Sequence, residues 1–261
     1  MVTASPADAE AIAARFGYEW GRYADLFPHY EEQFRNWTKP IEPAFWQGKR
    51  VLDAGCGMGR NSLWCLQYGA GEVVAVDYDD RTVAAATALL AAHLNVRVER
   101  GNIYELPYEA MFDCVMSIGV IDHLEDPGRA LQRLVQTLKP GGTMLVWVYA
   151  REGNERLLRV LRPVRVLTAR LPVAFVHALT YLFSAPLVAY LRVVPQGRPY
   201  WRRLSRFSFA HVHSIVFDQL FPRVAHYFPR AEIERLCAAL PLRTYELHHT
   251  DGYSWTVIGT K

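Results

Sequence analysis

From residue 50 onward, short apolar runs alternate with stretches of helical period, and that rhythm restricts the chain to a sheet flanked by helices. RVLDAG (50–55), EVVAVD (72–77), VRVERG (96–101), FDCVMSIG (112–119) and TMLVWVYA (143–150) read as strands. Between them NSLWCLQYGA (61–70), the alanine-rich RTVAAATALLAAHL (81–94) and PGRALQRLVQTL (127–138) read as helices. Strands and helices in alternation predict a parallel sheet with right-handed crossovers and helices on both faces. After Ala150 the rhythm stops. Residues 151–206 are aliphatic and arginine-rich, and Pro163, Pro172, Pro186, Pro195 and Pro199 predict several short helices broken at the prolines. Alternation returns with a helix at RAEIERLCAAL (230–240) and strands at 242–250 and 253–260, joined by the hairpin signal Asp251-Gly252.

Composition supports one large domain or one domain carrying a sizeable insertion: half of the 261 residues are hydrophobic, enough for a sizeable core. Cys56, Cys65, Cys114 and Cys237 are scattered without a C-x-x-C pair, which fits reduced thiols and a cytoplasmic protein. The opening MVTASPADAEAIAARFG has no basic segment followed by an apolar one, so no secretory signal is expected. The net charge of +3 is unevenly placed: residues 151–206 hold eleven Arg and two Glu, with no Lys or Asp, a local +9 that leaves −6 for the rest. Such a segment suits an anionic or polar-headed partner, or an acidic body of its own.

The stretch VLDAGCGMGR (51–60) is a strand that turns sharply into a helix through Gly55, Gly57 and Gly59. A dinucleotide-binding turn of the form G-x-G-x-x-G would need a third glycine where Arg60 stands. The pyrophosphate reading therefore weakens, while Asp77, closing the second strand in VVAVDYDD, stands where a carboxylate accepts hydrogen bonds from two ribose hydroxyls.

In order, VLDAGCGMGR, VVAVDYDD, GNIYELPY, FDCVMSIGVIDHLEDP and LKPGG resemble the motifs of the class I S-adenosylmethionine-dependent methyltransferases, over residues 50–150. FGYEWGRY…YEEQFRNW and VFDQLFPRVAHYFPRAEIERLC are similar to a bacterial subgroup that methylates small molecules and sugar- or lipid-like acceptors. The resemblance implies a Rossmann-like, doubly wound α/β fold whose seven-stranded sheet has an antiparallel last strand. It divides into an N-terminal helical cap (1–48), a cofactor-binding core (49–150), a helical insertion after the fifth strand (151–229) and a closing helix and strand hairpin (230–261). Gly55 and Gly57 would let the backbone approach the methionine part of the cofactor, and Gly59 would open the helix. Asp77 would hold the ribose, with Tyr78 beside it; Asn102 and Ile103 would meet the adenine, Asn102 standing where the family usually has Asp. Asp53, Cys56 and Ser117 would line or brace the methionine end, and Tyr23 or Tyr30 from the cap would reach its carboxylate.

Methyl transfer is an in-line displacement that placement and desolvation largely accelerate, so a general base is optional. The candidates are His123 in VIDHLED and His211, His213, Asp218, His226 and Tyr227 in the returning segment. His211-x-His213 on an extended chain would share a face, but no second ligand pair of recognisable spacing accompanies it and no metal is expected. PVAFVHALTYLFSAPLVAYLRVV (172–194) approaches membrane-spanning length, interrupted by His177, Pro186 and Arg192. A span would tear a single sheet, which leaves a lid that shapes the acceptor pocket, a homodimer contact, or peripheral membrane contact through 151–206. Small-molecule or lipid-like acceptors are expected. Nucleic acid is not, because the basic segment lacks exposed lysines interleaved with stacking aromatics. Two rivals remain: a nicotinamide-dinucleotide oxidoreductase, and a non-catalytic cofactor-binding partner that docks through the basic insertion.

Overall fold

The computed structural model describes residues 29–168, 171–195, 197, 199–220 and 225–261; Tyr23 lies outside them. The chain forms two compact units, one from the described residues of 1–152 and 224–261 and one from Gly153–Arg223.

The first unit is built on strands β1 (Arg50–Ala54), β2 (Glu72–Asp77), β3 (Val96–Arg100), β4 (Phe112–Ile118), β5 (Leu138–Tyr149), β6 (Thr244–Thr250) and β7 (Ser254–Thr260). They form one sheet in the order β3-β2-β1-β4-β5-β7-β6. β7 runs antiparallel to β5 and β6, and the pairings from β3 to β5 are parallel, as the alternation predicts. Side chains of period two divide the core between the faces. Leu52, Val74, Val115, Val146 and Val257 pack in one cluster; Val51, Val73, Cys114, Met116 and Leu145 pack in the other. Helices α1 (His29–Trp37), α2 (Arg60–Gln67), α3 (Asp80–Leu90) and α4 (Pro127–Thr137) belong to this unit. The order of connection reverses between β1 and β4, which opens a crevice at the carboxyl ends of those strands.

Local chemistry sets the element ends. Asp79 caps α3 by accepting from the backbone N–H groups of Arg81 and Thr82, and Asp126 caps α4 from Arg129, with Pro127 in the first turn. Helix α3 stops at Leu90, four residues before the alanine-rich run does, because Asn95 is tied to Ala70 O through Nδ2 and to Val73 N through its carbonyl. Strand β5 starts five residues earlier than its apolar run, because Gly141 N–H donates to Lys261 O and Lys261 N–H donates to Gly142 O. The Asp251-Gly252 turn is a hairpin, with both residues at positive φ (53° and 75°).

The second unit contains α5 (Glu155–Thr168), α6 (Val173–Val193), α7 (Pro199–Leu204) and α8 (Phe209–Leu220). The expectation of breaks at every proline fails: Pro163 lies inside α5 and Pro186 inside α6. Each proline deprives the carbonyl four residues earlier of its donor, and both of those residues, Arg159 and Leu182, are exposed, where solvent can take the donor's place. The last carbonyls of α8 are satisfied within the unit: Arg165 Nε donates to Gln219 O at 2.7 Å and Thr168 Oγ1 to Leu220 O at 2.5 Å.

Candidate functional site

The glycine loop follows β1 at the crevice. Gly55, Gly57 and Gly59 have φ of 82°, 54° and 87°, in the left-handed region that glycine enters without steric cost. At Gly55 the close approach is as important as the dihedral: a Cβ there would collide with Val120 Cγ2 and stand 2.8 Å from Cγ1. Gly59 caps α2, and Gly55 N–H and Cys56 N–H both donate to Val76 O, which ties the loop to the end of β2.

Asp77 closes that strand and fixes the loop from its other side. Its Oδ2 accepts from Gly57 N–H at 2.9 Å and its Oδ1 from Asp79 N–H at 3.3 Å. Burial raises its pKa above the ordinary carboxylate value, with the backbone donors opposing. Asp53 lies beneath, fully buried; Oδ2 accepts from Ser62 Oγ at 2.7 Å, and Oδ1 has no hydrogen-bond partner among the described residues. Desolvation pushes the Asp53 carboxyl up to about 7, against the Ser62 hydrogen bond. Ser117 is also fully buried and donates to Ala54 O at 2.9 Å, so its hydroxyl braces the end of β1. Burial drives the Cys56 thiol well above its ordinary pKa, and Sγ donates to Gly57 O at 3.4 Å.

Asn102 caps the short turn Ile103–Glu105, its Oδ1 accepting from Tyr104 N–H at 3.0 Å. A second lone pair on that oxygen can still receive an exocyclic amine. Tyr78 lies under the Arg100 guanidinium, 5.8 Å from the ring centroid. Tyr30 is buried on α1, with Arg60 4.2 Å above its ring, which sets it beside the first residue of α2.

The candidate bases separate into two groups. His123 ends the short turn Ile121–His123 beyond β4, and its Nε2 stands 3.4 Å from Oδ2 of the fully buried Asp122. His226 joins it: its N–H donates to Asp122 O at 2.7 Å and its Nε2 pairs with Leu124 O at 3.0 Å. A carbonyl only accepts, so the neutral ring carries its proton on Nε2 and keeps Nδ1 as its basic nitrogen. Tyr227 stacks on Tyr149 at the end of β5, with 5.3 Å between ring centroids. His211, His213 and Asp218 fall in the second unit, on α8. His211-x-His213 is therefore helical and not extended, so the two imidazoles diverge. His211 stacks on Phe207, with 3.9 Å between centroids, and His213 is buried with Nδ1 2.8 Å from Ser184 Oγ.

Val120, Ser62 and Asp122 join the site without having been singled out by their sequence pattern. Val120 is an ordinary loop valine until the missing Cβ of Gly55 is built, and nothing in sequence links Ser62 to Asp53. Asp122 does carry a signal, a carboxylate next to a candidate histidine.

Residues 52–146 match the family described as Methyltransferase domain. Over those residues the chain carries an S-adenosylmethionine-dependent methyltransferase domain. A ubiquinone biosynthesis O-methyltransferase of Bradyrhizobium is 33% identical over 115 residues, 44% of this chain and 45% of that protein. A tRNA U34 carboxymethyltransferase of Pseudoalteromonas translucida is 32% identical over 149 residues, 56% of this chain and 41% of that protein. The chain thus spans less than half the length of these relatives. The crystal structure of a magnesium protoporphyrin IX methyltransferase from Synechocystis, with bound S-adenosylhomocysteine, shares the fold at a TM-score of 0.58 and 14% identity, covering 97% of this chain and all of that one. The nicotinamide-dinucleotide alternative falls with the methyltransferase match. A methyltransferase domain implies a methyl acceptor, and a tRNA enzyme among the relatives removes the ground for excluding nucleic acid as that acceptor.

Proposed function

We propose that the chain is a methyltransferase that moves the methyl group of S-adenosylmethionine to an oxygen, nitrogen or carbon nucleophile of a small or lipid-linked acceptor. The observation that carries this reading is the glycine loop, hooked to the Asp77 carboxylate through Gly57 N–H above a buried carboxylate whose Oδ1 has no hydrogen-bond partner among the described residues. An unpaired buried acceptor of that kind costs free energy unless a donor meets it, and the ammonium end of the cofactor, directly or through a water, is such a donor. The residues present thus fit the cofactor.

When bound, S-adenosylmethionine supplies an electrophilic methyl group on a sulfonium. Asp77, ionised, would accept from the ribose hydroxyls, and Asn102 with Ile103 would receive the adenine. The absence of a side chain at Gly55 and Gly57 would let the backbone approach the methionine end. For a hydroxyl acceptor, Nδ1 of His226 would take the hydroxyl proton as the methyl group passes from sulfur to oxygen, the sulfur–methyl bond breaking to leave S-adenosylhomocysteine, while Leu124 O holds the ring through Nε2–H. Asp122 and His123 shape the same corner. An amine or phenolate needs placement alone.

The small or lipid-linked acceptor follows the resemblance to small-molecule enzymes, supported by the relative named for ubiquinone biosynthesis. Incubating the purified chain with methyl-tritiated cofactor, cell lipid and metabolite extracts, and total tRNA tests the reading. Label is expected in the organic-soluble or small-molecule fraction. Label in tRNA would overturn the acceptor class, and failure to bind S-adenosylhomocysteine in calorimetry would overturn the activity.

A further inference from the structure

The large apolar side chains left exposed among the described residues lie almost all in the second unit; outside it only Leu94 and Tyr245 qualify. Helix α6 is the main carrier. Its buried residues Val176, Thr180, Ser184 and Leu191 share one side at the helical repeat, and Phe175, Leu182 and Val193 stand on the opposite side, 57%, 69% and 81% exposed. No charged residue occurs from Val173 to Leu191. Twenty-one residues make this an open apolar face about 30 Å long. By length and composition alone the helix could cross a membrane. Its inner side forbids that reading, because His177, Thr180 and Ser184 are buried there and Ser184 Oγ meets His213 Nδ1 of α8 at 2.8 Å. A helix packed on one polar side offers a bilayer only its other side, and so lies in the interface plane.

The charge decides what covers this face. Residues 151–206 carry eleven Arg against two Glu, and Arg156, Arg159, Arg192, Arg202 and Arg206 are exposed. A second copy of this unit docked here would bring together two segments that each hold eleven Arg against two Glu, whereas a sheet of phosphate headgroups neutralises such charge. All the cations are arginines, whose planar fork matches phosphate geometry. We propose that the second unit docks on the surface of an anionic phospholipid bilayer, with Phe175, Leu182 and Val193 entering the acyl boundary and the exposed arginines on the headgroup phosphates. This placement is independent of the methyl-transfer reading.

Co-sedimentation of the full chain with phosphatidylcholine vesicles, with and without phosphatidylglycerol, tests it. Binding is expected to the anionic vesicles and to weaken at high salt. The pair Leu182→Glu and Val193→Glu should lower the partition at least about tenfold. The pair Arg156→Glu and Arg159→Glu should lower it more than about tenfold on anionic vesicles, since each cation near such a surface is worth roughly fivefold. Circular dichroism and S-adenosylhomocysteine titration check that each variant is folded; if the Glu pair on α6 misfolds, the arginine pair and the salt dependence of the parent carry the test. A parent chain that stays in the supernatant with anionic vesicles, or arginine variants that sediment like the parent, would overturn the proposal. So would a light-scattering dimer that the α6 pair dissociates, because the face would then be a subunit contact.

Discussion

Asp77 holds the glycine loop through Gly57 and, on the proposed reading, grips the ribose with the same carboxylate, so its removal has a compound effect. Charge-assisted hydrogen bonds contribute about 1.5–3 kcal/mol each. Asp77→Ala should therefore weaken S-adenosylhomocysteine binding about 100-fold or more in calorimetry; an unchanged affinity would remove the ribose assignment. Its raised pKa means that affinity should begin to fall, as the solution is acidified, at a higher pH than an ordinary carboxylate would give. Asp53 makes a separate prediction. Its folded pKa of about 7 lies above the ordinary 3.8, so between those values the folded chain keeps a proton that the unfolded chain releases, and stability falls as pH rises through that window. Asp53→Asn keeps an acceptor for Ser62 and cannot ionise. In urea unfolding it should gain about 3 kcal/mol on the parent between pH 5 and pH 8. His226→Gln should leave cofactor affinity intact and lower kcat by about 100-fold or more with a hydroxyl acceptor, since the amide has no basic nitrogen. At this scale the places of the candidate site's carboxylates and glycines, at strand ends and in the turn, were legible, because strand ends and turn chemistry fix them. Their partners Ser62, Val120 and Asp122 were not, because contacts between loops depend on how the crossovers pack.

The elements of the first unit were readable nearly throughout, since a parallel strand buried on both faces and a capped helix each leave a local signature. The second unit misled at its prolines. Proline marks a lost hydrogen bond, but whether a helix ends there depends on whether water reaches the orphaned carbonyl, which sequence does not show. The same dependence on surroundings separates two glycines. Gly252, with φ of 75°, has nothing within 4 Å of a built Cβ, whereas Gly55, at 82°, meets Val120. Gly252→Ala should cost about 1–2 kcal/mol of left-handed strain in urea unfolding. Gly55→Ala should cost at least about 3 kcal/mol, because overpacking adds to the strain. Adding Val120→Ala to the latter should recover the packing part and not the dihedral part. Equal costs at both positions would show that the loop relaxes freely.

Across the whole molecule, charge and apolar surface are segregated: the cationic, apolar-faced segment is one unit, and the sheet with its glycine loop is the other. Composition alone marks that division, because a segment with eleven arginines and no lysine does not resemble the rest of the chain. The sheet is complete on both sides of the division. Phe228 N–H donates to Tyr149 O and Arg151 N–H to Phe228 O, each at 3.0 Å, so the outgoing and returning backbones are bridged at Ala150 and Phe228. Replacing residues 153–224 with about four Gly and Ser residues should then leave a folded core that still binds S-adenosylhomocysteine and no longer sediments with anionic vesicles. An insoluble or cofactor-blind product would show that the core depends on the second unit. That small parallel bridge acts like the clasp of a purse: everything hung beyond it can be exchanged for another cargo without reopening the seam, so a lineage could change what the molecule leans on while its cofactor chemistry stays untouched.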